Sequence, residues 1–516
     1  MSVLETPDAL DDAAQALFEE ARRRTHRRRI RRTIAAAIAL AVAVAVAVLT
    51  TGGRSTGAYS QTATTPFVDA RSFDGHGELA FISRGTLWAL DGSSLRRVRL
   101  PRGLTPAQPA LSPDGRWLAF LATYPNRETS QLWLASADGT GAHEVRGAVD
   151  ELVGWSPSTD TLAVTSDPQN RHPFFGAPTT LAVIRPDGEV RRLLVFPISY
   201  RGSIESATWS PDGRQIGVSL VNFSGRSKTI IRSYPVNGAP PRTWLTLADN
   251  EPIPGYCGRC HSPIANLAGW YAGWGIAFWS FAGGMDHNND STPLDVVAAP
   301  GARPRFLAKT LSDGATDAVA GGLTGDLALV ASANDAGREY GQGKVVERCA
   351  RATRRCSLIP GASIWTGPPQ RCVPHLPCDI PHPAVGQPGS GVSLDPAWSP
   401  DGALLAYVKA PFALSEGNPP PPWYAAHRLY LSGPRTGATR ELATVAGVSQ
   451  PAWSRDGRSL LYVSGDGLWL VPAAGGGATE IEHPLFTGPQ LNGDGTMDVN
   501  YYGQINWAGQ FSWHSA

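Results

Sequence analysis

Charge of either sign is scarce in this sequence and is almost balanced. Only 17% of the 516 residues are charged, with 45 Lys and Arg against 44 Asp and Glu, whereas globular domains average about a quarter. This balance is a poor fit to a basic nucleic-acid binder or to an acidic disordered chain, so no nucleic-acid partner is expected. Methionine is also rare, with three residues. The histidines show no paired spacing that would indicate a zinc site, so no metal is expected.

Turn-forming residues are plentiful instead. The sequence contains 56 Gly and 43 Pro, which indicates many turns rather than long solvated helices. It also has 42% hydrophobic residues and 16 Trp. Such a chain can bury a large core, either in about two to four ordinary domains or in one large repeat architecture.

The first fifty residues predict a membrane anchor. Residues 22–32 carry eight arginines and are followed by an uncharged run of Ile, Ala, Val and Leu within 33–51. At 1.5 Å per residue, about 19 residues span close to the roughly 30 Å hydrocarbon core, and basic residues stay on the cytoplasmic side. We therefore expect a single-pass protein of the cell membrane with a cytoplasmic N-terminus and the remainder outside. A cleaved secretory signal is the alternative, since small residues in the run offer sites to a peptidase.

A short cassette repeats through the rest of the chain. An apolar residue is followed by Ser-Pro-Asp-Gly or a variant, then by two or three residues and a short apolar strand. Pro and Asp favour a tight turn and Gly accepts a positive φ, so each cassette predicts two strands joined by a turn. Clear copies begin at Leu111, Trp209, Trp398 and Trp453, and a weaker copy begins at Trp155.

The spacing of the cassettes predicts an all-β propeller. A third and a fourth strand follow each cassette, and four antiparallel strands make one propeller blade. With degenerate copies included, we count eight blades, with seven as the alternative. The segment 510–514 is expected to pair into the first blade and close the ring, which would remove two exposed sheet edges. The expected organisation is a cytoplasmic helical tail (1–32), one transmembrane helix (33–51), a linker (52–72) and the propeller (73–516).

The Trp-Ser-Pro-Asp-Gly cassette and the Leu-Ala-Phe/Tyr type of strand after it resemble the PD40, or WD40-like, repeat of the TolB family. The same repeat occurs in the propellers of prolyl-oligopeptidase-type peptidases. The resemblance covers residues 75–514 and implies a propeller that takes part in protein or envelope interactions outside the cytoplasm. This chain departs from TolB in its predicted anchor, its larger blade count and its cysteines. Because propellers are scaffolds, the resemblance is specific for the fold and weak for the activity.

Six cysteines lie in the part expected outside the cytoplasm, where disulfides persist. Two of them, Cys349 and Cys356, flank a predicted hairpin between the third and fourth strands of one blade, where a cross-strand bond is geometrically easy. Other connectivities are formally open, and local pairing is preferred because the partners are close in sequence. The expected bonds are Cys257–Cys260, Cys349–Cys356 and Cys372–Cys378.

Cys257 and Cys260 also belong to a Cys-x-x-Cys-His pattern that ends at His261. In a c-type haem site two thioether bonds hold the porphyrin and the histidine is an axial ligand of the iron. The flanking prolines do not indicate a small helical haem domain and methionine is scarce, so a disulfide-closed loop is favoured and no cofactor is expected. A redox-active or haem-carrying propeller that uses these three residues is the alternative function.

The sequence predicts no catalytic site. Gly53–Gly57 fits the Gly-x-Ser-x-Gly pattern, but a nucleophile elbow lies between a strand and a helix, and this segment follows the apolar run. The expected function is therefore a non-enzymatic scaffold or sensor that binds a protein, a peptide or an envelope component. Loops on rigid scaffolds often carry binding surfaces, and the Pro-rich segments 367–391 and 411–424 are the candidates. Trp423 and Tyr424 are the candidate contact aromatics.

Overall fold

The computed structural model describes residues 65–515 with gaps. In this part of the chain the regular structure consists of one four-residue helix, α1 (Ala70–Phe73), and a long series of short strands. The positions left out within it are 125–128, 168–177, 196–201, 223–227, 250, 254–256, 261–262, 282–291, 311–318, 323, 333–343, 360–391, 411–424, 443–444 and 486–508.

The first half of the described chain contains strands β1 to β18. Most are five to eight residues long, and the second strands are the most apolar, as in the fully buried stretch Leu162–Ser166. In chain order the strands are Phe67–Val68, Glu78–Ser83, Thr86–Asp91, Ser94–Arg97, Thr105–Leu111, Trp117–Thr123, Ser130–Ser136, His143–Val149, Glu151–Trp155, Leu162–Ser166, Thr180–Ile184, Val190–Val195, Gly202–Trp209, Gln215–Asn222, Lys228–Pro235, Arg242–Ala248, Glu251–Ile253 and Cys257–Cys260.

The second half contains strands β19 to β35. In chain order they are Ile264–Tyr271, Gly275–Phe281, Thr292–Val297, Arg305–Thr310, Val319–Gly321, Leu327–Ser332, Lys344–Ala350, Arg355–Leu358, Val392–Trp398, Leu405–Ala410, Arg428–Ser432, Thr439–Glu441, Val448–Trp453, Ser459–Ser464, Gly467–Pro472, Thr479–His483 and Phe511–His514.

Within the described residues these strands form eight blades of four antiparallel strands arranged as a β-propeller, with the hairpin β17–β18 between the fourth and fifth blades. One bridge between β22 and β24, with Thr310 opposite Ala331, joins the fifth and sixth blades into a single sheet. Apolar clusters lie between successive blades, so the core is a ring of interfaces between sheets. The count agrees with the eight blades expected from the cassettes. From blade 1 to blade 8 the strands are β35 with β2–β4, β5–β8, β9–β12, β13–β16, β19–β22, β23–β26, β27–β30 and β31–β34.

The last strand closes the ring. Strand β35 pairs antiparallel with β2, with Glu78 opposite His514 and Leu79 opposite Trp513. The indole N–H of Trp513 donates to the carbonyl of His76 at 2.9 Å. The predicted pairing of the C-terminal segment into the first blade is therefore confirmed. Strand β1, which falls inside the predicted linker, pairs with β34 and adds a fifth strand to blade 8.

Each complete cassette builds its turn from the same local hydrogen bonds. In blade 2 the Ser112 hydroxyl donates to the Asp114 carboxylate at 2.6 Å and accepts the amide of Trp117 at 3.0 Å. The Asp114 carboxylate also accepts the amide of Arg116 at 3.1 Å, and Gly115 takes the left-handed φ of +70°. These bonds span at most five residues, so the four-letter motif itself determines the turn. The same arrangement recurs at Ser210–Asp212, Ser399–Asp401 and Ser454–Asp456.

The tryptophan of the cassette joins one blade to the next. The indole N–H of Trp155 donates to the carbonyl of Ala110 in the preceding blade at 2.9 Å. Trp209 and Trp453 make the equivalent bonds to the carbonyls of Gly154 and Ala397, also at 2.9 Å. A buried aromatic side chain with one satisfied polar atom thus stabilises the interface between sheets as well as the sheet.

The predicted helical N-terminal part of the fold has to be corrected. A search of the described residues finds no helix that is long and apolar enough to cross a membrane. The helix α1 has four residues, about 6 Å at 1.5 Å per residue, against a hydrocarbon core of about 30 Å. The predicted cytoplasmic helix (1–32) and transmembrane helix (33–51) lie outside the described residues. The predicted single-pass architecture and the membrane localisation derived from it are corrected to this extent: the described residues supply no membrane-spanning helix.

Candidate functional site

The propeller has two faces with different kinds of connection. At one face, named here the turn face, short turns join the first strand of each blade to the second and the third strand to the fourth. The opposite face, named the loop face, carries the connections from the second strand to the third and from one blade to the next. Every connection between blade strands that is longer than about seven residues lies at the loop face. Ligands of scaffold folds bind where the variable connections are, so the loop face is the candidate functional face.

The first strands of successive blades contact one another around the central channel. Most of them share one irregularity in their pairing with the second strand. In six of the described first strands the register with the second strand shifts near the middle. Gln108, Asp395 and Gln450 occupy such positions with φ of 51°, 50° and 47°, and a proline follows each of them. The Asp395 carboxylate accepts the amide of Gln450 from the next blade at 3.1 Å. Bulges of this kind re-aim side chains beside functional sites, here at the channel wall.

Two aspartates lie together where blades 2 and 3 meet at the loop face. Asp150 is the single residue between strands β8 and β9, and its amide donates to the carbonyl of Thr165 at 3.0 Å. Asp167 directly follows β10, is buried, and accepts the hydroxyl of Thr179 at 3.5 Å. Because β9 is the first strand of its blade, this acidic pair lies at the rim of the channel.

The environment of Asp150 changes its acidity. Burial, helped by the negative charges of Asp167 and Glu151 and opposed by a hydrogen bond from the Asp167 backbone, raises the pKa of Asp150 to about 7. Its Oδ2 atom is buried and has no hydrogen-bond partner among the described residues. A cationic group brought to this position would gain an ion pair and a hydrogen-bond acceptor, and would hold Asp150 in its charged form. The pair is therefore suited to bind an ammonium or a guanidinium group.

A histidine–carboxylate pair at the ring closure does not form part of a nucleophilic site. His514 Nδ1 lies 2.7 Å from Glu78 Oε2, and its Nε2 lies 3.0 Å from the carbonyl oxygen of Pro113. Both ring nitrogens are thus engaged, and neither faces a hydroxyl or thiol as a catalytic base would. The pair instead joins blade 1 to the turn of blade 2.

The described residues include only part of the predicted site. Cys349 and Cys356 are opposite each other in strands β25 and β26 and form a disulfide. Cys257 and Cys260 lie in strand β18, whose side chains are outside the described part, as is His261. The cysteines at 372 and 378 and the aromatic residues Trp423 and Tyr424 are also outside it. The haem alternative and the candidate binding aromatics therefore stay predictions.

The sequence interpretation did not identify the acidic pair. Asp150 was inconspicuous because it stands between two ordinary strand residues, and nothing in the local pattern links it to Asp167. One feature could have indicated it. A single residue, Asp150, connects the last strand of blade 2 to the first strand of blade 3, and so short a connection must place that residue at the channel rim. Among the described residues, no group of three or more His, Cys, Asp or Glu side chains could hold a metal ion.

Comparison with known proteins relates a short stretch of the chain to a peptidase. No family model matches the chain. The "Uncharacterized peptidase YuxL" of Bacillus subtilis (strain 168) is 39% identical over 74 residues, which are 14% of this chain and 10% of the relative. The match thus spans a tenth of the length of that relative.

Several solved structures are similar at low sequence identity. They include dipeptidyl peptidase 4 of Porphyromonas gingivalis (10% identity, 79% of this chain and 59% of that chain, TM-score 0.48). Others are a prolyl endopeptidase (13%, 77% and 55%, TM-score 0.42) and an oligogalacturonate lyase in complex with manganese (12%, 79% and 85%, TM-score 0.39). Likeness at this level does not bear on activity.

The sheet topology defines the chain as a β-propeller, and the curated relative corrects the predicted function. The expectation of a non-enzymatic scaffold is contradicted, because the curated relative is described as a peptidase. That expectation rested on the missing nucleophile elbow. A propeller repeat carries no signature of the chemistry with which it is associated, so the inference from absence was unsound.

Proposed function

We propose that this chain takes part in peptide hydrolysis, with the propeller admitting and orienting the peptide at its loop face. The observation that carries the proposal is the identity with a curated peptidase over 74 residues. Two features of the fold support it. The long connections depart from a single face, and a partly buried acidic pair lies at the channel rim of that face.

The acidic pair gives the channel rim a role in peptide binding. Asp150 and Asp167 would bind a positively charged group of the peptide, either its N-terminal ammonium or the side chain of a Lys or Arg. The half-buried position strengthens such an ion pair relative to one in water, and the neighbouring negative charges favour a cation over a neutral group. An ion pair of this kind would hold the peptide in position for cleavage, so its loss is expected to raise KM and to lower kcat/KM.

The test is an assay of the full chain on a defined mixture of peptides, read by mass spectrometry, beside labelling with a fluorophosphonate probe. Each peptide is supplied with a free and with an acetylated N-terminus. We expect cleavage, and we expect Asp150→Asn to lower kcat/KM for the free peptides by about tenfold, the value of one ion pair of about 1.4 kcal/mol. Asp187→Asn, at an exposed turn of blade 3, is the matched control.

The outcomes separate the activity from the role of the acidic pair. No cleavage of any peptide together with no labelling would contradict peptide hydrolysis. Cleavage that Asp150→Asn lowers equally for free and acetylated peptides would leave the hydrolysis and refute the recognition of an N-terminal ammonium. Peptides with and without Lys or Arg then decide whether a side chain is the bound cation.

A further inference from the structure

A cavity of about 450 Å³ opens on the turn face where blades 5, 6 and 7 meet. Its described lining includes four arginines, Arg348, Arg351, Arg354 and Arg435, and a single acid, Asp326. It lies on the side of the propeller opposite to the acidic pair, and nothing in the proposed peptide hydrolysis uses it.

The acid is already neutralised within the structure. Asp326 Oδ2 accepts two hydrogen bonds from the guanidinium of Arg348, at 2.8 and 2.6 Å. Its other oxygen accepts the backbone amide of Arg351 at 2.9 Å. The pair is mostly buried, with 22% of the Arg348 side chain and 8% of the Asp326 side chain exposed. The charges of the other three arginines at the cavity are therefore not balanced by this carboxylate.

The hairpin that carries two of these arginines is held in place. Cys349 and Cys356 cross-link strands β25 and β26 directly behind the turn, and the amide of Arg354 donates to the carbonyl of Ala350 at 2.8 Å. Arg354 takes the left-handed φ of 55°, which a residue with a side chain adopts only under constraint. The carbonyl of Arg354 accepts a hydrogen bond from Arg305 at 2.7 Å.

The guanidinium groups are also positioned by their surroundings. That of Arg354 lies 4.4 Å from the centroid of the Trp274 ring and donates to the carbonyl of Gly273. The side chain of Arg351 packs against the backbone of two glycines, Gly273 and Gly325. If either glycine carried a side chain, its Cβ would collide with Arg351: at Gly273 with the guanidinium, and at Gly325 with Cδ, at 2.6 Å. Burial, together with the positive charges of Arg305 and Arg351, lowers the pKa of Arg354. Like charges are thus held close together before any ligand is present.

We propose that Arg351, Arg354 and Arg435 form a binding site for a phosphate group. Three guanidinium groups around one cavity supply several N–H donors in planar forks, which match the oxygens of a tetrahedral anion. A dianionic group neutralises most of the unbalanced charge, whereas a monocarboxylate leaves two of the three cations facing each other. The ligand is therefore a tetrahedral oxyanion with two charges, the class to which inorganic phosphate and phosphate monoesters belong.

Isothermal titration of the full chain at constant ionic strength tests the site with inorganic phosphate and with O-phosphoserine. Acetate at the same ionic strength is the monoanion control. We expect phosphate to bind at least about tenfold more tightly than acetate. Equal or weaker binding of O-phosphoserine identifies the free anion as sufficient, and tighter binding of O-phosphoserine indicates a phosphate monoester.

Two substitutions locate the site. Arg435→Ala replaces an exposed side chain in the turn between β29 and β30, and Arg351→Gln replaces an exposed side chain in the cross-linked hairpin. Each should weaken phosphate binding by about tenfold. Arg214→Ala, in the exposed cassette turn of blade 4, should leave it unchanged. Phosphate affinity equal to that of acetate, or equal in all three variants, would overturn the assignment.

Discussion

Glu482 makes a pH-dependent contribution to stability that one substitution isolates. It lies in β34 of blade 8, is 0% exposed, and neither carboxylate oxygen has a hydrogen-bond partner among the described residues. Burial, followed by the negative charges of Asp466 and Glu480, raises the pKa of Glu482 from its usual 4.5 to about 9. The nearby Ser83 hydroxyl opposes the rise, but its hydrogen bond goes to the carbonyl of Pro484 at 2.5 Å.

The sign of the effect follows from the two protonation equilibria. Below about pH 4.5 the carboxyl is protonated in the folded and in the unfolded chain, so it does not change the free energy of unfolding. Between about pH 4.5 and pH 9 the unfolded chain releases the proton and the folded chain keeps it. Stability then falls as the pH rises, by about 1.4 kcal/mol per pH unit, which amounts to about 3 kcal/mol at pH 7.

The variant Glu482→Gln cannot ionise and keeps the shape of the side chain. It should equal the parent near pH 4.5 and be more stable by up to about 3 kcal/mol at pH 7. Urea unfolding at several pH values, followed by the fluorescence of the 16 Trp, measures the difference. Glu144→Gln, an exposed glutamate of β8, is the control with the same chemical change. Parallel stability curves for Glu482→Gln and the parent across this range would refute the reasoning.

Two further predictions concern the repeat. Deletion of residues 505–516 removes β35, exposes the edge of β2 and leaves the cluster around Phe81 open, so the propeller should lose its cooperative thermal transition; an unchanged Tm would contradict closure by this strand. Asp212→Ala removes the acceptor of the Ser210 hydroxyl and of the Arg214 amide, and should cost about 1–3 kcal/mol in urea unfolding. Unchanged stability in Asp212→Ala would show that the cassette bonds contribute little to it.

Much of the fold could be predicted because its repeat is built from local interactions. The bonds among Ser112, Asp114 and Trp117 are formed within one turn, so their residue types can be read directly from the chain. The closing strand was also predictable, since a ring with an unpaired first blade needs a partner strand from the other end. The membrane-anchored architecture was inferred from residues 33–51, which lie outside the described part, and the described residues contain no helix that could cross a membrane.

The candidate sites could not be predicted in the same way. Arg351 and Arg435 belong to different blades, and only the curvature of the ring places their turns around one cavity. Asp150 and Asp167 come from a blade connection and the end of a second strand, and neither has a distinctive motif. The predicted non-enzymatic role was wrong for a related reason, because a scaffold repeat specifies the fold and leaves the chemistry to residues that the repeat does not include.

The sequence by itself determined the blades, their turns and the order in which they close, because each depends on contacts between residues close in the chain or on the need to pair a strand edge. The tertiary structure alone decided which charges meet. The short turns of successive blades lie at the same face, and the side chains that become neighbours there depend on the position of each blade in the ring rather than on the motif that builds its turn.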